Sequence, residues 1–280
     1  MENDVENLVE VNGIHLFVER KGHGEPLLLI PGLGAGNWLW SKSVAALSAS
    51  FELIMPELRG SGRSDKPDQP YSIELFALDL LKLLDHFDIA RTHVLGVSMG
   101  GLVAQYLAAT WPERVHKLIL AATTMGGQTQ IGPSGEILCR LIKPRGRSRR
   151  ERLEDAYDLN FTRRFILEHP EELEQITDWR IKYPQPEYAY YRQLLAGNAF
   201  DGRDLAGRIS APTLVLAGEE DLVVPAEDII ALKDRIPGAQ LLTLKGKHLF
   251  FFEQAAAVNH AILAFLENTS AAAQVAGNAG

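Results

Sequence analysis

The chain has 280 residues, 46% hydrophobic and 23% charged, ordinary values for a folded globular protein that exclude wholesale disorder, collagen-like repeats and a membrane bundle. Its 36 acidic against 28 basic residues leave a net charge of −8, which repels phosphate backbones and argues against nucleic acid as the main partner. The single cysteine, Cys139, cannot close an internal disulfide, and no cysteine cluster exists to bind zinc.

The acidic start, Met1-Glu2-Asn3-Asp4-Val5-Glu6, lacks the apolar segment of a signal peptide. No apolar run reaches the roughly 18 residues of a membrane span, so a cytoplasmic protein with no membrane partner is expected.

Residues 5–10 and 14–19 alternate in polarity around Asn12-Gly13, which predicts a β-hairpin. Residues 27–30, 51–55, 92–95, 117–121, 213–217 and Gln240–Leu244 read as strands buried on both faces. Between them lie helical patterns. Over 72–87 the residues Ile73, Phe76, Leu80, Leu83, Leu84 and Phe87 recur at helical spacing, and 98–111 is rich in Ala and Leu. Val258, Ile262, Phe265 and Leu266 form a further helical stripe. Strands alternating with helices predict a mostly parallel sheet covered on both faces. The alternation fails over 125–205, which reads as a helical insertion between two strands. The Ala-, Gly- and Asn-rich residues 268–280 read as a flexible tail.

Gly96-Val97-Ser98-Met99-Gly100 is the only Gly-x-Ser-x-Gly in the chain, and it falls between a predicted strand and a predicted helix. In that context the serine projects from a sharp turn, with small neighbours letting the backbone pass close by. The plainer alternative is a glycine turn with an N-capping serine. A serine hydroxyl is a weak nucleophile and needs a base oriented by a third group. Of eight histidines, His248 follows the last predicted strand, at the carboxyl edge of the sheet where open α/β folds build their sites. The other seven fall in strands, helices or turns that suit structural or solvated roles. The third member is expected in Gly218-Glu219-Glu220-Asp221, after the preceding strand. Asp221 is chosen to orient His248; spacing alone does not exclude Glu219 or Glu220.

With these residues in place the chain resembles the α/β-hydrolases over nearly all of residues 5–267. The resemblance rests on the turn at Gly96, the acid loop, the histidine segment and Arg59-Gly60-Ser61-Gly62-Arg63-Ser64. The phrases Gly96-Val97-Ser98-Met99-Gly100-Gly101 and Trp111-Pro112-Glu113-Arg114-Val115 are most similar to enol-lactonase-like and cofactor-free haloperoxidase-like esterases. Two departures stand out. Glu57 occupies a position where relatives often carry Asp, and Pro31 replaces the His of a His-Gly-x-Gly loop. Ser98 argues against the subfamilies that use an aspartate nucleophile.

The resemblance implies an α/β-hydrolase core at 1–124 and 206–267, an eight-stranded mostly parallel sheet, and a helical cap at 125–205. It implies Ser98, Asp221 and His248 as catalytic residues, with the backbone N–H groups of Leu33 and Met99 holding the oxyanion. Trp38, after the oxyanion loop, is expected beside the substrate, and a small-molecule ester or lactone is the expected ligand. No metal and no organic cofactor are expected. Gly32-Leu33-Gly34 begins like a dinucleotide fingerprint, but Asn37 holds the third glycine position. C–C bond hydrolysis, perhydrolysis and ligand sensing with little turnover remain alternatives, and self-association stays open. The basic run Lys143, Arg145, Arg147, Arg149, Arg150 and Arg152 is expected to form a solvated face, or else a positive rim that attracts anionic substrates.

Overall fold

Asn12 and Gly13 turn the chain with φ of 49° and 75°. Two consecutive positive φ values suit the right-handed twist of a tight hairpin, which is why this dipeptide joins strands. The strands are β1 (Leu8–Val11) and β2 (Ile14–Lys21), paired antiparallel. A computed structural model describes residues 7–127, 132–142 and 148–267.

Six further strands follow: β3 (Glu25–Ile30), β4 (Phe51–Pro56), β5 (Thr92–Val97), β6 (Val115–Ala121), β7 (Thr213–Gly218) and β8 (Gln240–Leu244). They form one eight-stranded sheet in the order β1-β2-β4-β3-β5-β6-β7-β8. The β2–β4 pair is antiparallel and every later pair is parallel. Alternate residues of β3 feed opposite faces, as strand geometry dictates. Leu28 and Ile30 join the core under helices Ile73–His86 and Met99–Thr110, while Leu27 and Leu29 join the core under helix Ala255–Leu266. All four are fully buried, so this strand carries a continuous apolar run. β8 differs from its expected double burial. It is the edge strand, and only Leu244 among its five residues is buried. Length and apolar content do not distinguish an edge from a centre.

The described residues between β6 and β7 are helical. The longest helices there are Pro170–Lys182 and Glu187–Ala199. An antiparallel bridge between Gly126 and Asp201 ties the two ends of this segment together. Among the described residues no helix is long and apolar enough to cross a membrane. The expected tail at 268–280 lies outside the described residues.

At the amino ends of the parallel strands, His93 is buried and its Nε2 lies 2.9 Å from Glu25 Oε2. Burial holds the His93 imidazole below its ordinary value of 6.5. The hydrogen bond from His93 holds the Glu25 carboxyl below its ordinary 4.5. In the unfolded chain His93 therefore takes up a proton first, so stability is complete above about 6.5 and falls as pH drops below it. Glu25 adds a smaller loss at lower pH, because its side chain is 65% exposed and screened. We expect the urea midpoint of unfolding to fall between pH 7.5 and 5.5, and the fall to be shallower in His93→Gln. An unchanged slope in the variant would assign the pH dependence to other groups.

Candidate active site

Ser98 sits between the last residue of β5 and the first of helix Met99–Thr110, at φ 54° and ψ −121°. A non-glycine residue in that region costs about 1–3 kcal/mol and persists only where the surroundings hold it. Here the Ser98 N–H donates to Ala121 O at 2.9 Å, and Thr123 Oγ1 donates to Ser98 O at 2.8 Å. The glycines are needed for space. A Cβ on Gly96 would lie 2.5 Å from Gly100 O, and one on Gly100 would lie 2.6 Å from Pro31 O.

The structure brings the three expected side chains together. Ser98 Oγ lies 3.0 Å from His248 Nε2, and His248 Nδ1 lies 2.8 Å from Asp221 Oδ2. With Nδ1–H donating to the carboxylate, the Nε2 lone pair is left to accept the serine proton. Asp221 Oδ1 accepts from the N–H groups of Val223 and Val224 at 2.8 and 3.0 Å. These bonds fix the rotamer of the carboxylate. Glu219 and Glu220 are exposed, with backbone N–H groups donating to Leu244 O and Gly246 O. Of the three acids, Asp221 is the one whose side chain lies within hydrogen-bond reach of His248.

Leu33 and Met99 line the same cavity as Ser98. Neither backbone N–H donates to an acceptor among the described residues. For Met99 this follows from its place in the first turn of a helix, where N–H groups have no intrahelical partner. Trp38 lines the cavity, whereas Trp40 is buried in the core. The cavity has a volume of about 260 Å³, and the wall opposite the sheet comes from the helical segment, including Tyr157, Phe161 and Tyr190.

One group the sequence did not single out is Gln193, fully buried on helix Glu187–Ala199. Its Oε1 accepts from Gly34 N–H at 3.0 Å, and its Nε2 donates to Arg59 O at 2.8 Å and Ser61 Oγ at 2.9 Å. It therefore joins the loop carrying Leu33 to the Arg59-Gly60-Ser61 turn. No spacing rule marks a glutamine whose partners lie on other elements. Glu57, the departure noted above, is fully buried. It accepts from Asn37 N–H at 3.2 Å and from Arg63 N–H at 2.6 Å. In Gln193→Ala the Gly34 N–H loses its acceptor, and we expect kcat to fall by up to about 10²-fold with KM little changed. Steady-state kinetics would read this, and a change confined to KM would remove the positioning role.

Arg149 and Arg150 do not form a positive rim. Arg149 donates to the carbonyls of Arg180 and Gln185. Arg150 pairs with Glu154, Glu174 and Asp178, so its charge is already neutralised. Arg152 lines the cavity and has partners of its own, while Lys143, Arg145 and Arg147 lie outside the described residues.

Among the described residues one group has the chemistry of metal ligands: Glu25, His93 and His116. It lies at the amino ends of β3, β5 and β6, at the other end of the sheet from Ser98. The His93–Glu25 hydrogen bond described above accounts for the close approach of two of the three.

An eight-stranded sheet of this order, with a strand-to-helix turn presenting a serine to an imidazole and a carboxylate, defines the α/β-hydrolase class, and the chain belongs to that family. A family model described as alpha/beta hydrolase fold matches residues 25–137, and one described as TAP-like protein matches 197–276. The chain is 32% identical over 253 residues to a poly(3-hydroxyalkanoate) depolymerase of Ectopseudomonas oleovorans, covering 88% of this chain and 86% of that one. It is 32% identical over 242 residues to 3-oxoadipate enol-lactonase 2 of Acinetobacter baylyi, covering 86% and 88%. Among solved structures, an enol-lactonase from Burkholderia xenovorans superposes with a TM-score of 0.84 at 30% identity, covering 93% of this chain and 99% of that one. These relatives are hydrolases, and this protein is a hydrolase of the same family.

Proposed function

We propose that the protein hydrolyses a carboxylic ester or lactone through an acyl-enzyme on Ser98. The observation that carries this reading is the hydrogen-bonded series Ser98 Oγ, His248, Asp221 beside two unengaged backbone N–H groups in one cavity. As Ser98 Oγ attacks the carbonyl carbon, its proton passes to His248 Nε2, and Asp221 stabilises the imidazolium. The carbonyl oxygen becomes an oxyanion held by the N–H groups of Leu33 and Met99; one such donor contributes about 2.7–4 kcal/mol in enzymes of this kind. The C–O bond to the leaving group breaks, and His248 returns the proton to the departing alkoxide. Water then gives a proton to His248 and its oxygen to the acyl carbon; the bond from that carbon to Ser98 Oγ breaks, His248 returns the proton to Ser98 Oγ, and the acid leaves. In a lactone the alcohol and the acid leave as one molecule.

The helical segment over 125–205 serves as the cap that shields this chemistry from solvent. The apolar part of the cavity suits a small acyl group.

The test is a panel of p-nitrophenyl esters and five- and six-membered lactones, run with a fluorophosphonate that reports reactive serines. Turnover, together with a single adduct on the Ser98 peptide, supports the reading. A folded protein that neither turns over nor labels would shift the proposal to C–C bond hydrolysis or ligand sensing.

A further inference from the structure

We propose that Arg180 forms a carboxylate-binding subsite in the Ser98 cavity, so that the preferred ester or lactone carries a second, free carboxylate. This rests on the hydrolase reading above and specifies the substrate class for the same site.

Arg180 lies near the end of helix Pro170–Lys182 and lines the cavity together with Ser98 and His248. Among the described residues three arginines line that cavity, and they differ in how their charge is met. Arg140 pairs with Asp158, and Arg152 is engaged. The guanidinium of Arg180 enters no ion pair and donates no hydrogen bond among the described residues; only its backbone carbonyl is used, by Arg149. The internal residues outside the description, 128–131 and 143–147, contain no Asp or Glu. No chain carboxylate is therefore at hand in these stretches to neutralise it.

The surroundings intensify the imbalance. Burial pushes the Arg180 guanidinium down to about 10, and its charged neighbour is a second cation, Arg149. Tyr190 and Tyr157 are the remaining titratable neighbours. The guanidinium carbon sits 5.9 Å from the centre of the Trp38 ring, and the Trp38 indole N–H is itself buried with no acceptor. The guanidinium thus lies over the Trp38 ring, and neither side chain's N–H groups have an acceptor among the described residues. Arg180 is half-buried, and a half-buried cation with no anion beside it keeps part of its desolvation cost, which a neutral substrate would leave unrelieved. A carboxylate relieves it, because the planar guanidinium fork matches two carboxylate oxygens. The anionic-substrate idea suggested by the basic run thus moves from the outer face to a single residue inside the cavity.

The experiment compares half-esters of C5 to C7 dicarboxylic acids with methyl esters of monoacids of equal length, in the wild type and in Arg180→Met, Arg180→Gln and Arg180→Lys. We expect wild-type kcat/KM to favour the half-ester of best-fitting length by roughly 10- to 100-fold, the range of one charged hydrogen-bonded contact. In Arg180→Met and Arg180→Gln that ratio falls to about one, with Arg180→Lys in between. Arg150→Gln, on the outer face, keeps the wild-type ratio.

Product inhibition of the wild type gives an independent readout if a variant fails to fold: the free diacid inhibits more tightly than the monoacid. A wild type without preference for the half-ester, or variants that slow both substrates equally, would overturn the subsite. Failure of the wild type to hydrolyse either substrate class would instead overturn the hydrolase reading.

Discussion

Ser98→Ala is expected to lower kcat on the best ester of the panel by about 10⁶-fold, or about 8 kcal/mol of transition-state stabilisation, while the protein stays folded and retains substrate affinity. The substitution removes the attacking oxygen and leaves the backbone N–H groups of Leu33 and Met99, so a residual acceleration over water survives. His248→Ala should cost a similar amount. The double variant should cost little more than either single one, because a nucleophile without its base and a base without its nucleophile are equally idle. The strained φ of 54° at residue 98 predicts a second effect. Since Ser98→Gly relieves that strain, it should raise the melting temperature even as it abolishes turnover. Steady-state kinetics and a thermal melt read both outcomes. A Ser98→Ala enzyme within tenfold of wild type would mean that another group attacks the carbonyl.

The largest loss of stability is expected at Asp79. Arg59 and Asp79 are each 1% exposed and form a two-point ion pair at 2.5 Å, and Asn12 donates to the same carboxylate at 2.7 Å. Burial pushes the Asp79 carboxyl up against the opposing pull of Arg59 and Asn12. The pair's net contribution is accordingly modest, but half of it is expensive: an unpartnered buried guanidinium costs about 3–5 kcal/mol. Asp79→Ala should therefore lower the melting temperature by roughly 10 °C. The paired replacement Arg59→Met with Asp79→Leu should recover much of that loss. Because Arg59 O also accepts from Gln193, the single variant should reduce kcat as well. A single variant as stable as the double one would show that the desolvated charge is not the source of the loss.

The elements differed in how openly the sequence announced them. The Asn12-Gly13 hairpin, the β3 run and the stripe over Ile73–His86 were legible because their signals are local: turn chemistry, double burial and helical period each occupy a few adjacent residues. Ser98 was legible for the same reason, since its turn needs small residues two positions either side. The expected acid loop and histidine segment could be located at strand ends, but the choice of Asp221 over Glu219 and Glu220 required the 2.8 Å approach to His248. The double burial expected of β8 failed because a strand's place in the sheet depends on pairing partners far away in the chain.

The sequence by itself determined the backbone plan: which stretches become strands and helices, the serine at the sharp turn, and the order serine, acid, histidine after β5, β7 and β8. These follow from forces acting between near neighbours. Only the tertiary structure decided which charges are met and which are left open. It set Arg150 among three carboxylates, buried Arg59 against Asp79, tied Gly34 to Gln193, and turned Arg180 toward the cavity without an anion. Charge compensation and hydrogen-bond satisfaction are properties of spatial neighbours, and residues far apart in the chain become neighbours only when the sheet and its overlying helices close over one cavity.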